Sequence, residues 1–308
     1  MNIKNQLKLI QKLTGESQEK LAQRLGVSFA TLNSWINGRS NPREGYQKAI
    51  EELYLKVTGQ QTIPKTVLEA KEKAVFSKKK KHKDIVSQIL NNSDIYDQLT
   101  LSLTFNTNRI EGSTLSEAET EAILFQNQTI ENKSLVEHME AKNHQEAFRF
   151  LLEHIKHNKQ ITEKFILMLH GKLMNGINTE AGYYRRHAVR IVGTHVPTAN
   201  YIKVPKLMEE LVKDIQKKQK SILSLITTVH SRFEQIHPFS DGNGRIGRLI
   251  IQAMLLKENL APALIDEKNR RYYMMYLNKA QMGQDVSLLE DFMCDAVLSG
   301  YDLVERRG

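Results

Sequence analysis

The segment HPFSDGNGRIGR at residues 237–248 ends one helical pattern and starts another, so the chain must turn sharply there between two helices. SILSLITTVHSRFEQI leads into it with apolar residues at helical spacing, and Ile246, Leu249, Ile250, Ala253 and Met254 resume that spacing beyond it. Gly242 and Gly244 therefore stand where a helix begins. Small residues at a helix N-terminus leave backbone N–H groups and a partial positive charge open to an anion. Arg245 and Arg248 lie one turn apart and can fork onto further phosphate oxygens. Asp241, just ahead of this nest, suits a Mg2+ ion that bridges phosphates. His237 is the nearby group whose pKa suits taking a proton at neutral pH. The residues alone thus predict a phosphate site beside a base. No G-x-x-x-x-G-K-[ST] competes with it, and GNGRIG follows a helical segment where a dinucleotide fingerprint needs a strand.

Helical spacing extends over most of the chain and predicts an all-α protein. Residues 1–58 read as a compact bundle in which Leu7, Ile10, Leu13, Leu21, Leu25, Leu32, Trp35 and Ile36 recur at helical intervals, broken by Gly15, Gly26, Gly38 and Pro42. Ser17 and Ser28 are placed to cap two helices joined by a short turn at Gly26. Residues 59–84 are polar, carry the run Lys78 to Lys81, and read as a basic linker or an exposed helix. Residues 85–308 form the second domain, where Ser116 and Glu119 spell a capping box. The exception is AGYYRRHAVRIVGTHVPTANYIKVP, in which alternating Val189 and Ile191 and a turn at Gly193 predict a β-hairpin.

Composition excludes several classes. The 308 residues are 40% hydrophobic and 26% charged, ordinary for a soluble globular protein and enough for two modest domains. No run of eighteen apolar residues occurs and the start has no signal-peptide core, so the expected address is cytoplasmic with no membrane partner. Cys294 is the single cysteine, cannot form an internal disulfide, and sits in a helix-interior pattern. Ten histidines occur without H-E-x-x-H or paired-cysteine spacing, so Mg2+ brought with nucleotide is the only metal expected. A net charge of +9 favours anionic partners, ATP and nucleic acid alike.

Residues 237–248 fill every fixed position of H-x-F-x-[DE]-G-N-G-R-x-x-R and so resemble the signature of the Fic (filamentation induced by cAMP) family. The resemblance implies a helical core with a small β-hairpin flap, and a protein adenylyltransferase moving AMP from ATP to a Ser, Thr or Tyr hydroxyl of a target protein, itself included. It implies that His237 deprotonates the acceptor, that Asp241 holds Mg2+, and that Asn243 with the Gly242 to Gly244 backbone cradles the α-phosphate. Arg245 and Arg248 would grip the outer phosphates. The hairpin fits the family's flap, with Val192, Gly193, Thr194, His195 and Val196 as a tip that aligns the target by strand pairing. RRYYMMYLNKAQMGQD resembles the nucleoside-side helix, which puts Tyr273 and Gln281 at an adenine pocket. Upstream, Thr107 to Gly112 match [ST]-x-x-x-E-[GN], resembling the inhibitory motif of the subclass whose inhibitory helix, here about residues 100–112, precedes the core. Glu111 would then pair with Arg245 and deny it to the γ-phosphate. The same glutamate can position a water that removes AMP, so deAMPylation stands as an alternative.

Gln18, Leu21, Ala22, Leu25, Gly26, Val27, Ser28, Trp35, Asn37, Gly38 and Pro42 match the pattern of the lambda-repressor-like (XRE-type) helix-turn-helix. That resemblance implies a DNA partner, with Ser28, Phe29, Thr31, Asn33 and Ser34 in the major groove and Arg39 near phosphates. The leading expectation is a self-inhibited adenylyltransferase. Its rival from another class is a transcription regulator with a nucleotide-sensing Fic domain, and a homo-oligomer is compatible with either.

Overall fold

The computed structural model describes residues 2–191, 196–217, 219, 221–283 and 285–306, which divide into two compact units, Met1–Ile63 and Pro64–Gly308. In the first, α1 (Ile3–Thr14), α2 (Gln18–Arg24), α3 (Phe29–Asn37) and α4 (Glu44–Thr58) bury Leu7, Ile10, Leu21, Leu32, Ile50 and Val57 completely. The Ser17 hydroxyl accepts from Lys20 N at 3.3 Å and the Ser28 hydroxyl from Thr31 N at 3.2 Å, so both serines cap as their positions predict. Gly15 and Gly38 end α1 and α3 with φ of 68° and 72°, the left-handed region that glycine enters without penalty.

The second unit begins earlier than the sequence suggests. Residues 65–79 form α5 (Lys65–Lys79), a largely exposed helix that packs one face along helix α15 (Ser287–Val304). Val75 is fully buried, Lys71 pairs with Asp291 and Asp295, each at 2.7 Å, and Lys78 with Asp302 and Glu305, each at 2.8 Å. A single buried valine with two lysines seven residues apart makes too weak an apolar stripe to read from sequence, and the partner that completes it lies more than two hundred residues away.

Between α5 and α15 come α6 (Ile85–Asn91), α7 (Ser93–Glu111), α8 (Glu117–Gln126), α9 (Leu135–Lys156), α10 (Glu163–Leu173), α11 (Val204–Ile215), α12 (Ile222–Ile236), α13 (Asn243–Lys257) and α14 (Arg270–Gln281). The Ser116–Glu119 capping box starts α8. Thirteen of the fifteen residues of α13, Asn243 and Arg245 through Leu256, are buried, the mark of a helix covered on all sides. Its neighbours are α7, α9, α10 and α12. The phosphate-site motif is thus the N-terminal end of the innermost helix.

All described secondary structure is helical, so the expected β-hairpin is not formed in the described residues. Its tip residues Val192, Gly193, Thr194 and His195 lie outside them, while Val196 is buried. Side chains hydrogen-bond the flanks' carbonyls: the Thr198 hydroxyl donates to Val189 O at 2.8 Å, and the Arg185 guanidinium donates to His187 O and Ala199 O. Pro197 removes a further donor. Among the described residues no helix is long and apolar enough to cross a membrane.

Candidate active site

His237 ends α12 in the left-handed conformation, φ 51°, with its own N–H bonded to Phe233 O at 2.9 Å. That turn is unusual for a residue with a Cβ, and it lifts the imidazole off the helix axis. Nδ1 lies 3.2 Å from Glu234 O, and since a carbonyl only accepts, Nδ1 carries the proton and Nε2 keeps a free lone pair. Burial holds the imidazole below its ordinary pKa of 6.5, with the Glu234 hydrogen bond opposing and the Arg185 charge adding to the fall. At neutral pH His237 is an uncharged base.

The loop after it is braced from beneath. Phe239 is fully buried and stacks on His170, ring centroids 3.7 Å apart and planes 5° from parallel. His170 Nδ1 accepts from Gly182 N at 2.8 Å, so its Nε2 donates to Asp241 O at 3.1 Å, and burial pulls this histidine down to about 4. The Asn243 amide closes the loop by donating to Phe239 O and accepting from Phe239 N, both at 2.9 Å. The Asn243 side-chain amide is thus engaged with the loop that precedes α13. The backbone N–H groups that open α13, that of Asn243 included, lack intrahelical acceptors and stay available to an anion. Gly242, at φ 77°, must be glycine twice over, because a Cβ there would also meet Met174 Sδ at 2.8 Å. Asp241 is 59% exposed beside this nest, with Oδ1 accepting from Gly242 N at 2.6 Å. One exposed carboxylate beside a phosphate cradle fits Mg2+, which takes one or two protein carboxylates and draws its remaining ligands from substrate phosphates and water. No cluster of three or more metal-ligating side chains exists among the described residues.

Glu111, the last residue of α7, reaches this nest but not the arginine expected. Its Oε1 lies 2.5 Å from the Arg248 guanidinium, and Arg248 Nε donates to the Thr107 hydroxyl at 2.6 Å. Arg245 instead pairs with Glu140 of α9 at 2.6 Å and stands 3.7 Å from Asp241. Helix phase explains the difference: Gly244 and Arg248 are four residues apart on the stripe facing α7, whereas Arg245 is turned about 100° from Gly244, toward α9. A Cβ on Gly244 would meet Glu111 Oε1 at 2.4 Å, so the carboxylate lies directly against the first turn of α13. Although burial pushes the Glu111 carboxyl up, Arg248, then Arg245 and Arg270, outweigh it and hold the group below the usual carboxylate range. Gly112 caps the helix at φ 107°, and Arg270 Nε donates to Ile110 O at 2.6 Å, which pins the helix end that carries Glu111.

Behind Arg248 lies a buried set that the sequence reading missed. His230 Nε2 is 2.6 Å from the Tyr273 hydroxyl, and burial pulls His230 down to about 3. Burial also pushes Glu234 up to about 8, against Arg248 and with Glu111, which favours its protonated form. The spacing 230, 234 puts His230 and Glu234 on one face of α12, the signal that could have found them. Tyr273 is only 1% exposed, and Tyr273, Tyr276, Leu277, Ala280 and Gln281 form the buried stripe of α14. The expected adenine contacts at Tyr273 and Gln281 are therefore corrected to core positions by helical phase. Gly247→Ala would drive a Cβ to 2.3 Å from Glu234 Oε1 and 3.1 Å from the His230 ring. It is expected to destabilise the fold by about 1–3 kcal/mol, read as a lower urea midpoint with an unchanged slope.

In the first unit, Phe29 is 47% exposed and Arg39 is exposed, whereas the other proposed DNA contacts have local partners. Ser28 and Thr31 share a hydroxyl contact at 2.8 Å, Asn33 donates to Gln18 at 2.9 Å, and Ser34 meets Ser40 at 2.8 Å.

Residues 160–255 match the Fic/DOC family and residues 15–54 the helix-turn-helix family. The chain is 30% identical over 203 residues to the protein adenylyltransferase Fic of Drosophila ananassae, covering 65% of this chain and 40% of that protein. It is 32% identical over 199 residues to the protein of the same name from Aedes aegypti, covering 63% and 39%. The matches thus span about two fifths of those relatives' length. A Fic-domain-containing signaling protein from Bacteroides thetaiotaomicron shares the fold with a TM-score of 0.68 at 22% identity, over 76% of this chain and 96% of that one. Fic-1 from C. elegans does so with a TM-score of 0.67 at 20% identity, over 93% and 84%. Similarity to the Fic/DOC family thus covers residues 160–255, which include the whole 237–248 motif, and similarity to the helix-turn-helix family covers residues 15–54.

Proposed function

We propose that the chain is a protein adenylyltransferase held at rest by its own Glu111. The observation that carries this reading is the Glu111 carboxylate, lodged against Gly244 and bonded to Arg248 at the anion-binding end of α13. An internal carboxylate there stands where nucleotide phosphate would bind. Once Glu111 withdraws, Arg248 is free for the outer phosphates of ATP and the first-turn N–H groups of α13 receive the α-phosphate. His237 Nε2 takes the proton of an acceptor hydroxyl, whose oxygen forms a bond to the α-phosphorus as the bond to pyrophosphate breaks in line. Mg2+, held at Asp241, would neutralise the phosphate charge as it shifts to the leaving group. The acceptor is a Ser, Thr or Tyr hydroxyl on a protein, a copy of this chain included. Intact-protein mass spectrometry of the Glu111→Gly variant after incubation with ATP tests the reaction: a gain of one AMP mass is expected, and a gain of phosphate mass would replace the reading with another transfer.

The first unit supports DNA binding as a second function, on the exposure of Phe29 and Arg39 at either end of α3. Retention of duplex DNA should fall steeply with salt, and Arg39→Ala should make the slope of log affinity against log salt shallower by about one. An unchanged slope would remove Arg39 from the phosphate contacts.

A further inference from the structure

Arg185 is only 2% exposed, and its side-chain donors end on backbone carbonyls instead of a carboxylate. Nε donates to His237 O at 2.7 Å, one terminal nitrogen to His187 O at 2.6 Å, and the other to Ala199 O at 2.6 Å and Ile236 O at 3.4 Å. Its own N–H donates to Pro238 O at 2.9 Å. Ile236 and His237 carry carbonyls at the C-terminal end of α12, which have no helical donor and sit at the negative pole of the helix. His187 and Ala199 flank the segment 188–198, and Ala199 N returns to Gln235 O of the last turn of α12 at 3.3 Å. A single guanidinium therefore ties the backbone of the proposed base to both ends of the segment beside it.

We infer that Arg185 is a positioning residue for group transfer, fixing the backbone of His237, and with it the imidazole, against His187 and Ala199. The inference rests on the adenylyltransferase reading for its effect on rate, though not for the coupling itself. Arginine is required because its planar fork reaches three carbonyls in different directions at once. A lysine ammonium keeps the charge but lacks that fork. Misplacing reacting groups by about 1 Å costs on the order of 100-fold in rate. The phosphate nest at Gly242 to Arg248 makes no contact with the Arg185 guanidinium in this network, so ATP binding should not follow.

The test is Arg185→Lys, built both into the full chain and into its Glu111→Gly form. Amide hydrogen exchange at His237 and Ala199 is expected to accelerate together by about tenfold or more, with the amides of α13 unchanged. In the Glu111→Gly form, kcat for AMP incorporation is expected to fall about 100-fold while KM for ATP stays within about twofold. Exchange that rises equally in α13, or loss of ATP binding, would make Arg185 a general support of the fold and overturn the inference. So would an unchanged kcat, or acceleration at only one of the two amides. If the Glu111→Gly parent itself incorporates no AMP, the enzyme reading fails, and the exchange result alone decides whether Arg185 couples the two segments.

Discussion

Glu111→Gly is expected to raise AMP incorporation from ATP about 10- to 100-fold at subsaturating nucleotide. A charge-assisted hydrogen bond of the Glu111–Arg248 kind contributes on the order of 1.5–3 kcal/mol, and each 1.4 kcal/mol is tenfold in an equilibrium. The Glu111 side chain is 38% exposed, so solvent screening places the effect toward the lower end of that range. Removing it clears two things at once, the partner of Arg248 and the oxygen packed against Gly244. Glu111→Gln separates them, since it keeps the side chain's size and loses the charge. Its rate should fall between the wild type and the glycine variant. Rates measured with labelled ATP, with several candidate proteins and the chain itself as acceptors, check the order.

His237→Ala, built into the Glu111→Gly form, is expected to reduce AMP incorporation by at least about 100- to 10,000-fold, the usual contribution of a positioned general base. The Nδ1–H bond to Glu234 O fixes which nitrogen is free, and burial keeps that nitrogen unprotonated at neutral pH. ATP affinity should stay within about threefold, because the His237 side chain lies outside the nest that opens α13. Loss of nucleotide binding together with activity would show that His237 holds the loop and would take the base role from it. Incorporation measured alongside calorimetric binding of ATP distinguishes the two.

Where the determinants are local, the sequence was readable. Gly242 and Gly244 before an apolar run marked the start of α13, Ser116 and Glu119 the start of α8, and Ser17 and Ser28 those of α2 and α3, because caps and left-handed turns act within four residues. Pairings across the fold were not readable. Arg245 and Arg248 look equivalent in a sequence, and only the phase of α13 against α7 and α9 assigns Glu111 to Arg248 and Glu140 to Arg245. Nothing in the sequence separates Arg185 from its neighbour Arg186, because its partners are backbone carbonyls, groups common to every residue. The alternating pattern around Val189 and Ile191 forms no strand in the described residues, where Thr198 and Arg185 hydrogen-bond the backbone carbonyls of Val189 and Ala199. Tyr273 looked like a ligand until the buried stripe of α14 claimed it.

The central claim is that Glu111 and the outer phosphates of the nucleotide compete for Arg248. The most direct measurement is calorimetric affinity for ATP and for AMP in the wild type and in Glu111→Gln, in the presence of Mg2+. ATP should bind the variant about tenfold or more tightly than the wild type, while AMP, which has no outer phosphates, should change by less than about twofold. Equal gains for both nucleotides, or no gain for ATP, would contradict the account.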